Sequence, residues 1–124
     1  MLYYHLNRYS DDGLLAVNSP MSITDDQAIE LAEMFRLMGE PSRLKIIVAC
    51  LAEPTSVSDV AARTRLSPSL VSHHLRLLRA ARILRAYRRG KQVFYAAADE
   101  HVRCTLTDMI AHVREEPDAE AGAA

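Results

Sequence analysis

The chain has 124 residues, about one domain's worth, and a hydrophobic fraction of 49% is enough to bury a compact core. No run of residues approaches the roughly 18 apolar residues that a membrane span needs, and a net charge of -1 gives no overall bias toward a polyanionic partner. Two cysteines, Cys50 and Cys104, lie far apart and in no CxxC pair, which argues against a disulfide framework or a zinc ribbon.

Residues 1–23 show no sustained period and contain Asp11-Asp12-Gly13 and Asn18-Ser19-Pro20, so they read as a loose N-terminal arm, with Met21 an alternative start. Arg8, Asp11 and Asp12 interrupt any apolar stretch of the signal-peptide kind, and a cytoplasmic location is expected. One globular domain is expected over residues 24–116. Its first helix begins at Thr24, whose hydroxyl caps while Gln27 reaches back, and runs to Met38 with Ile29, Leu31, Phe35 and Met38 available for burial. Gly39 ends it. A second helix spans Pro41 to Ala52, with proline in the first turn and Leu44, Ile47, Val48 and Leu51 on one face. Glu53-Pro54 stops it.

Ser56 and Asp59 form a capping box that opens a short helix from Val57 to Arg63, with Val57, Val60 and Ala61 inward. After the connection Thr64-Arg65-Leu66, Ser67 caps a further helix with Pro68 at its first position, running to about Ala80 with Leu70, Val71, Leu75 and Leu78 inward. Two short helices, a tight turn and a cap on the second are the pattern of a helix-turn-helix. Leu84 to Tyr87 and Gln92 to Ala97 favour strand and are joined by Arg88-Arg89-Gly90-Lys91, a hairpin with a basic tip. Asp99 starts a last helix that reaches Arg114 or Glu116, and residues 117–124 form a disordered tail. The fold class expected is mainly α with a β-hairpin wing, a winged helix-turn-helix domain of DNA binding and dimerisation over residues 24–116.

Charge is unevenly distributed. Between Ala61 and Tyr95 stand nine cations, Arg63, Arg65, Arg76, Arg79, Arg82, Arg85, Arg88, Arg89 and Lys91, and no Asp or Glu. An acid-free block of this length creates the positive field that binding to a polyphosphate requires. On the second helix of the pair the apolar residues belong to the core, leaving Ser67, Ser69, Ser72, His73 and Arg76 to approach a duplex. Small hydroxyls permit close approach, Ser and His hydrogen-bond bases or phosphates, and arginine pairs with phosphate or guanine. Arg88, Arg89, Lys91 and Gln92 at the hairpin tip are placed for phosphates or the adjacent minor groove. His74, whose neighbour Leu75 is inward, is read as a surface or packing histidine.

The last helix carries a second constellation. Asp99 with His101, and His112 with Glu115, are two half-sites of carboxylate and imidazole. Eleven residues separate the two histidines, which puts them on one face but roughly 16 Å apart along the axis, too far for one metal ion. An antiparallel copy of the helix across a two-fold axis would bring Asp99 and His101 of one chain to His112 and Glu115 of the other, making two equivalent four-ligand sites in a homodimer. Such donors suit Zn(II), with Co(II) or Ni(II) if a ligand is added. Asp99 belongs at the helix N-terminus, since within a regular helix it and His101 diverge. Leu106, Met109, Ile110 and Val113 would supply apolar dimer surface. A zinc hydrolase using the same residues is the remote alternative; there is no Gly-rich phosphate loop, and four protein ligands would close the metal's open position.

At this point the sequence resembles the ArsR/SmtB family of metal-sensing repressors over roughly Leu31 to Glu115. The resemblance is carried by Gly39-Glu40-Pro41-Ser42-Arg43-Leu44, by Val71-Ser72-His73-His74-Leu75-Arg76, by Arg89-Gly90-Lys91-Gln92-Val93-Phe94-Tyr95 and by the last-helix ligands, which fall on the pattern D-x-H-x10-H-x2-E of the family's zinc sensors. The resemblance implies a homodimer that binds double-stranded operator DNA when metal-free and releases it when metal binds, with the metal-bound histidine linked to backbone near Arg82. Where some members carry a cysteine at the start of the helix-turn-helix, Ser56 stands here in Thr55-Ser56-Val57-Ser58-Asp59, so a soft-metal thiolate site is not expected there, and His5 is not expected to add a ligand. Other members sense through cysteines in the second and last helices, which makes a thiol or persulfide switch on Cys50 and Cys104 the alternative.

Overall fold

The structure, a computed structural model, describes residues 21–117, so most of the arm and residues 118–124 of the tail lie outside the described residues. The chain forms two compact units that divide between Phe35 and Arg36. The first helix, α1, is Asp25–Met38. Its start is the reciprocal pair expected from sequence: the Thr24 N–H donates to Gln27 Oε1 at 2.9 Å, and the Gln27 N–H donates to Thr24 Oγ1 at 3.1 Å. Asp25 and Asp26 add negative charge to the positive end of the helix dipole. Burial does not follow the expected pattern, because Ile29, Leu31 and Phe35 are all exposed. Periodicity identifies an apolar stripe; it does not say whether the same chain covers it.

Helix α2 is Pro41–Ala49. Glu40 caps it, accepting from the Arg43 N–H at 2.9 Å, and the Arg43 side chain returns through Nε to the Leu37 carbonyl at 2.7 Å. It ends three residues before the expected Ala52, where the Cys50 N–H turns back to the Ile47 carbonyl at 2.9 Å. The face that packs inward is Ile46, Ile47, Cys50 and Leu51, whereas Leu44 and Val48 stay exposed and line an open hollow with Lys45, Arg63 and Thr64. Apolar residues are dense enough along this helix that two adjacent stripes satisfy helical spacing, and only packing selects between them.

Strand β1, Thr55–Ser56, pairs antiparallel with β3 and has no counterpart in the sequence reading, since two residues are too few to show alternation. Then come α3, Val57–Thr64, and α4, Pro68–Ala80. The hairpin is β2, Leu84–Arg89, and β3, Gln92–Ala97, and the sheet order is β1-β3-β2. Its register pairs Leu84 with Ala97 at the base and Arg89 with Gln92 at the tip. The last helix, α5, is Glu100–Arg114.

The core of the second unit joins Ile46 and Ile47 of α2, Val60 of α3, and Val71, Leu75 and Leu78 of α4 to Ile83 just before the hairpin, every one at 0% exposure. Each such side chain contributes about 1.5–3 kcal/mol through removal of apolar surface from water. On α4 the buried stripe is Val71, His74, Leu75 and Leu78, spaced i, i+3, i+4, i+7. Leu70, expected inward, is exposed, and His74 takes the buried position beside it. Among the described residues no helix is long and apolar enough to cross a membrane.

Candidate functional site

The helix-turn-helix is set by two caps and one left-handed residue. Ser56 Oγ accepts from the Asp59 N–H at 3.2 Å and starts α3. Arg65 closes it in the left-handed region, with φ 60° and ψ 28°, and its N–H returns to the Ala61 carbonyl at 2.9 Å. A single left-handed residue reverses the chain within a few bonds, so the next helix crosses the first instead of continuing it. Ser67 then caps α4, its Oγ accepting from the Leu70 N–H at 3.2 Å, with Pro68 in the first turn.

With Val71, His74, Leu75 and Leu78 inward, α4 turns Ser69, Ser72, His73 and Arg76 to the opposite side. Ser67, Ser69, His73 and Arg76 are exposed and Ser72 is half-buried. Positions 69, 72, 73 and 76 share one helical face, so four of the five candidate α4 residues lie together and Ser67 stands at the N-terminal edge of that strip. His74 is separate: it is 9% exposed, its Nδ1 has no hydrogen-bond partner, and its ring lies 5.7 Å from that of His73. Burial lowers its pKa by penalising the charged imidazolium, with the Arg43 guanidinium adding to the effect.

At the hairpin tip Arg88, Arg89, Lys91 and Gln92 are all exposed, around a turn in which Gly90 has φ 60°. Gly90 supplies a conformation that L side chains resist, and this lets a two-residue turn join the strands in register. The acid-free block thus divides between the outer face of α4 and the hairpin. Arg63 and Arg65 at the end of α3, and Arg82 between α4 and the hairpin, lie outside both, and Arg63 pairs with Glu53 at 3.9 Å.

Helix α5 contains no buried residue. Asp99 is its N-cap, extended at φ -159° and ψ -178°, with Oδ1 accepting from the Val102 N–H at 3.0 Å. The capping role occupies one carboxylate oxygen and leaves the other unused by that bond. His101, His112 and Glu115 are exposed. Glu115 is the C-cap: its φ of -74° is still helical and its N–H returns to the Ala111 carbonyl at 3.2 Å, so its side chain projects from the i+3 position relative to His112, while ψ 141° turns the chain away after it. Within one chain the two half-sites stay at opposite ends of α5, and among the described residues no group of three or more His, Cys, Asp or Glu side chains is gathered closely enough to hold a metal ion.

The two cysteines differ in environment. Cys104 on α5 is half-buried, whereas Cys50 is 1% exposed and burial pushes its thiol up to about 12. A thiol so protonated at neutral pH is a poor nucleophile, which weakens the switch that uses both cysteines.

Comparison with known proteins agrees with this geometry. Residues 40–86, from the cap of α2 into the hairpin, match the model for "Bacterial regulatory protein, arsR family". The chain is 38% identical over 96 residues to a "Transcriptional repressor SmtB homolog" of Synechocystis sp., covering 77% of this chain and 73% of that protein. It is 34% identical over 111 residues to a "Cadmium resistance transcriptional regulatory protein CadC homolog" of Staphylococcus aureus, covering 89% and 84%. Among solved structures it resembles a homodimeric winged helix-turn-helix DNA-binding domain from Mycobacterium bovis, with a TM-score of 0.65 at 21% identity over 79% of this chain and 97% of that one.

Proposed function

The chain belongs to the arsR family of bacterial regulatory proteins, and from that premise we propose a repressor that binds operator DNA as a homodimer and is released by Zn(II), Co(II) or Ni(II) at intersubunit sites on α5. It is a transcriptional regulator and not an enzyme. In the bound state Ser67, Ser69, Ser72, His73 and Arg76 lie in the major groove, while Arg88, Arg89, Lys91 and Gln92 meet phosphates or the adjacent minor groove.

The observation that carries the metal reading is the layout of α5. Nothing on the helix is buried, and its nitrogen and oxygen donors stand exposed as two half-sets at opposite ends. An antiparallel second copy completes both sets, Asp99 and His101 from one subunit with His112 and Glu115 from the other. Asp99 keeps an oxygen beyond its capping bond, and Glu115 is exposed at the i+3 position from His112. The donor chemistry fits borderline cations better than soft ones, because no thiolate belongs to the set. A bound ion would supply a cross-link between subunits. It favours release only to the extent that it prefers the non-binding arrangement, and operator DNA must weaken metal binding by the same factor.

The test is fluorescence anisotropy of the metal-free protein on labelled DNA from the region flanking its own gene, titrated with zinc, cobalt and nickel beside His112→Ala. The wild type should dissociate with metal and the variant should bind DNA equally well but stay bound. Zinc-driven release of His112→Ala would show that the assigned ligands are wrong.

A further inference from the structure

Side chains alternate along a strand, so Arg85, Tyr87 and Arg89 of β2 share one face, and the register sets Phe94 opposite Tyr87 and Gln92 opposite Arg89. The other face holds Leu84, Tyr95 and Ala97, all buried. On the outer face the Tyr87 and Phe94 rings stack at 6.5 Å between centroids with 22° between their planes. The Arg89 guanidinium lies over both rings, 5.4 Å from each centroid, and that of Arg85 lies 5.8 Å from Tyr87. Both arginines are exposed, and neither forms an ion pair among the described residues. Residues 84–97 contain no Asp or Glu.

These contacts do little for the core, since the rings are only half-buried and the cations are in water. They do restrict the guanidiniums. An arginine lying on an aromatic face keeps its N–H edge free for a phosphate while giving up rotamer freedom before the anion arrives, which lowers the ordering cost of binding. Arg85 and Arg89 sit four residues apart, roughly 13 Å along the strand. That separation suits successive sites on a polymeric backbone and is too wide for one phosphate group.

We propose that Tyr87 and Phe94 are positioning residues for DNA binding: they hold Arg89, and Tyr87 also holds Arg85, as preset contacts to the phosphate backbone of duplex DNA. The proposal rests on the DNA-binding reading above and extends the basic tip of the hairpin down to Arg85.

The probe is a fluorescein-labelled 30-base-pair duplex of arbitrary sequence, because backbone contacts are sequence-independent. Arg89→Ala should weaken binding and reduce the dependence of log affinity on log salt by about one unit. Phe94→Leu removes no charge, yet it should weaken binding on the order of two- to fivefold, and this loss should vanish when Arg89 is already Ala. Tyr87→Leu should act likewise, with Tyr87→Phe restoring binding. Arg89→Lys, an exposed change that keeps the charge and leaves folding intact, should bind less well than wild type because the ammonium lacks the planar fork. Arg89→Lys binding like wild type, or ring losses undiminished in the Arg89→Ala background, would overturn the positioning role while leaving DNA binding intact. A wild-type chain that does not bind the duplex at low salt would overturn the DNA-binding reading and this proposal together.

Discussion

His74 is a polar residue in an apolar position, and its burial has a pH-dependent consequence. The buried neutral ring has a pKa below 6.5, so the unfolded chain takes up the proton more readily than the folded one. Its contribution to stability is fully present above 6.5 and falls as pH drops from 6.5 toward the lowered native value. Urea midpoints should therefore decrease between pH 7.5 and 5.5, and His74→Gln, which does not charge, should show a smaller decrease. An equal decrease in that variant would assign the effect to other histidines. Glu40, whose pKa is lowered chiefly by the backbone N–H groups of Arg43 and Ser42, titrates below this window. The sequence left His74 as a surface or packing residue; its burial and the missing partner of Nδ1 depend on atoms brought near by folding.

Among the elements, α4 has the most legible boundaries, because Ser67 and Pro68 specify its start through local chemistry alone. Ser67 also lies beside the proposed DNA-reading strip, and substitution separates the two roles. Ser67→Ala should cost about 1 kcal/mol of stability by removing the acceptor for the Leu70 N–H. Ser67→Asp should retain the cap and the stability while weakening DNA binding, since it places a carboxylate against phosphates. Chemical denaturation beside anisotropy distinguishes them, and Ser67→Asp binding DNA like wild type would remove Ser67 from the interface. By contrast, the buried face of α2 was legible only in part. Spacing placed Leu44, Ile47, Val48 and Leu51 on one face; Ile47 and Leu51 are buried as expected, but packing against the neighbouring elements covers Ile46 and Cys50 in place of Leu44 and Val48.

At the scale of the whole molecule, α5 places Met109 at 54% and Val113 at 78% exposure on a helix with no buried residue. Exposed apolar surface alongside exposed donors is the arrangement that pairing with an identical helix would cover. Sedimentation should show a dimer for the wild type and a monomer for the double variant Met109→Asp, Val113→Asp, with the variant's far-UV spectrum showing helix retained. The wild-type thermal midpoint should also rise with protein concentration. A dimer that survives the double change would move the interface away from this face.

The sequence by itself determined the order of elements, the caps of α1, α3 and α4, the helix-turn-helix, the hairpin and the separation of donors along α5. All of these follow from interactions within a few residues: side-chain capping, the φ of proline and glycine, and the fixed rise of a helix. Tertiary structure decided the rest. It selected the buried stripe of α2, exchanged Leu70 for His74 on α4, paired β1 with β3, and set the rings of Tyr87 and Phe94 beneath Arg89. Each depends on which surfaces meet across the chain, and local periodicity carries no record of what lies opposite.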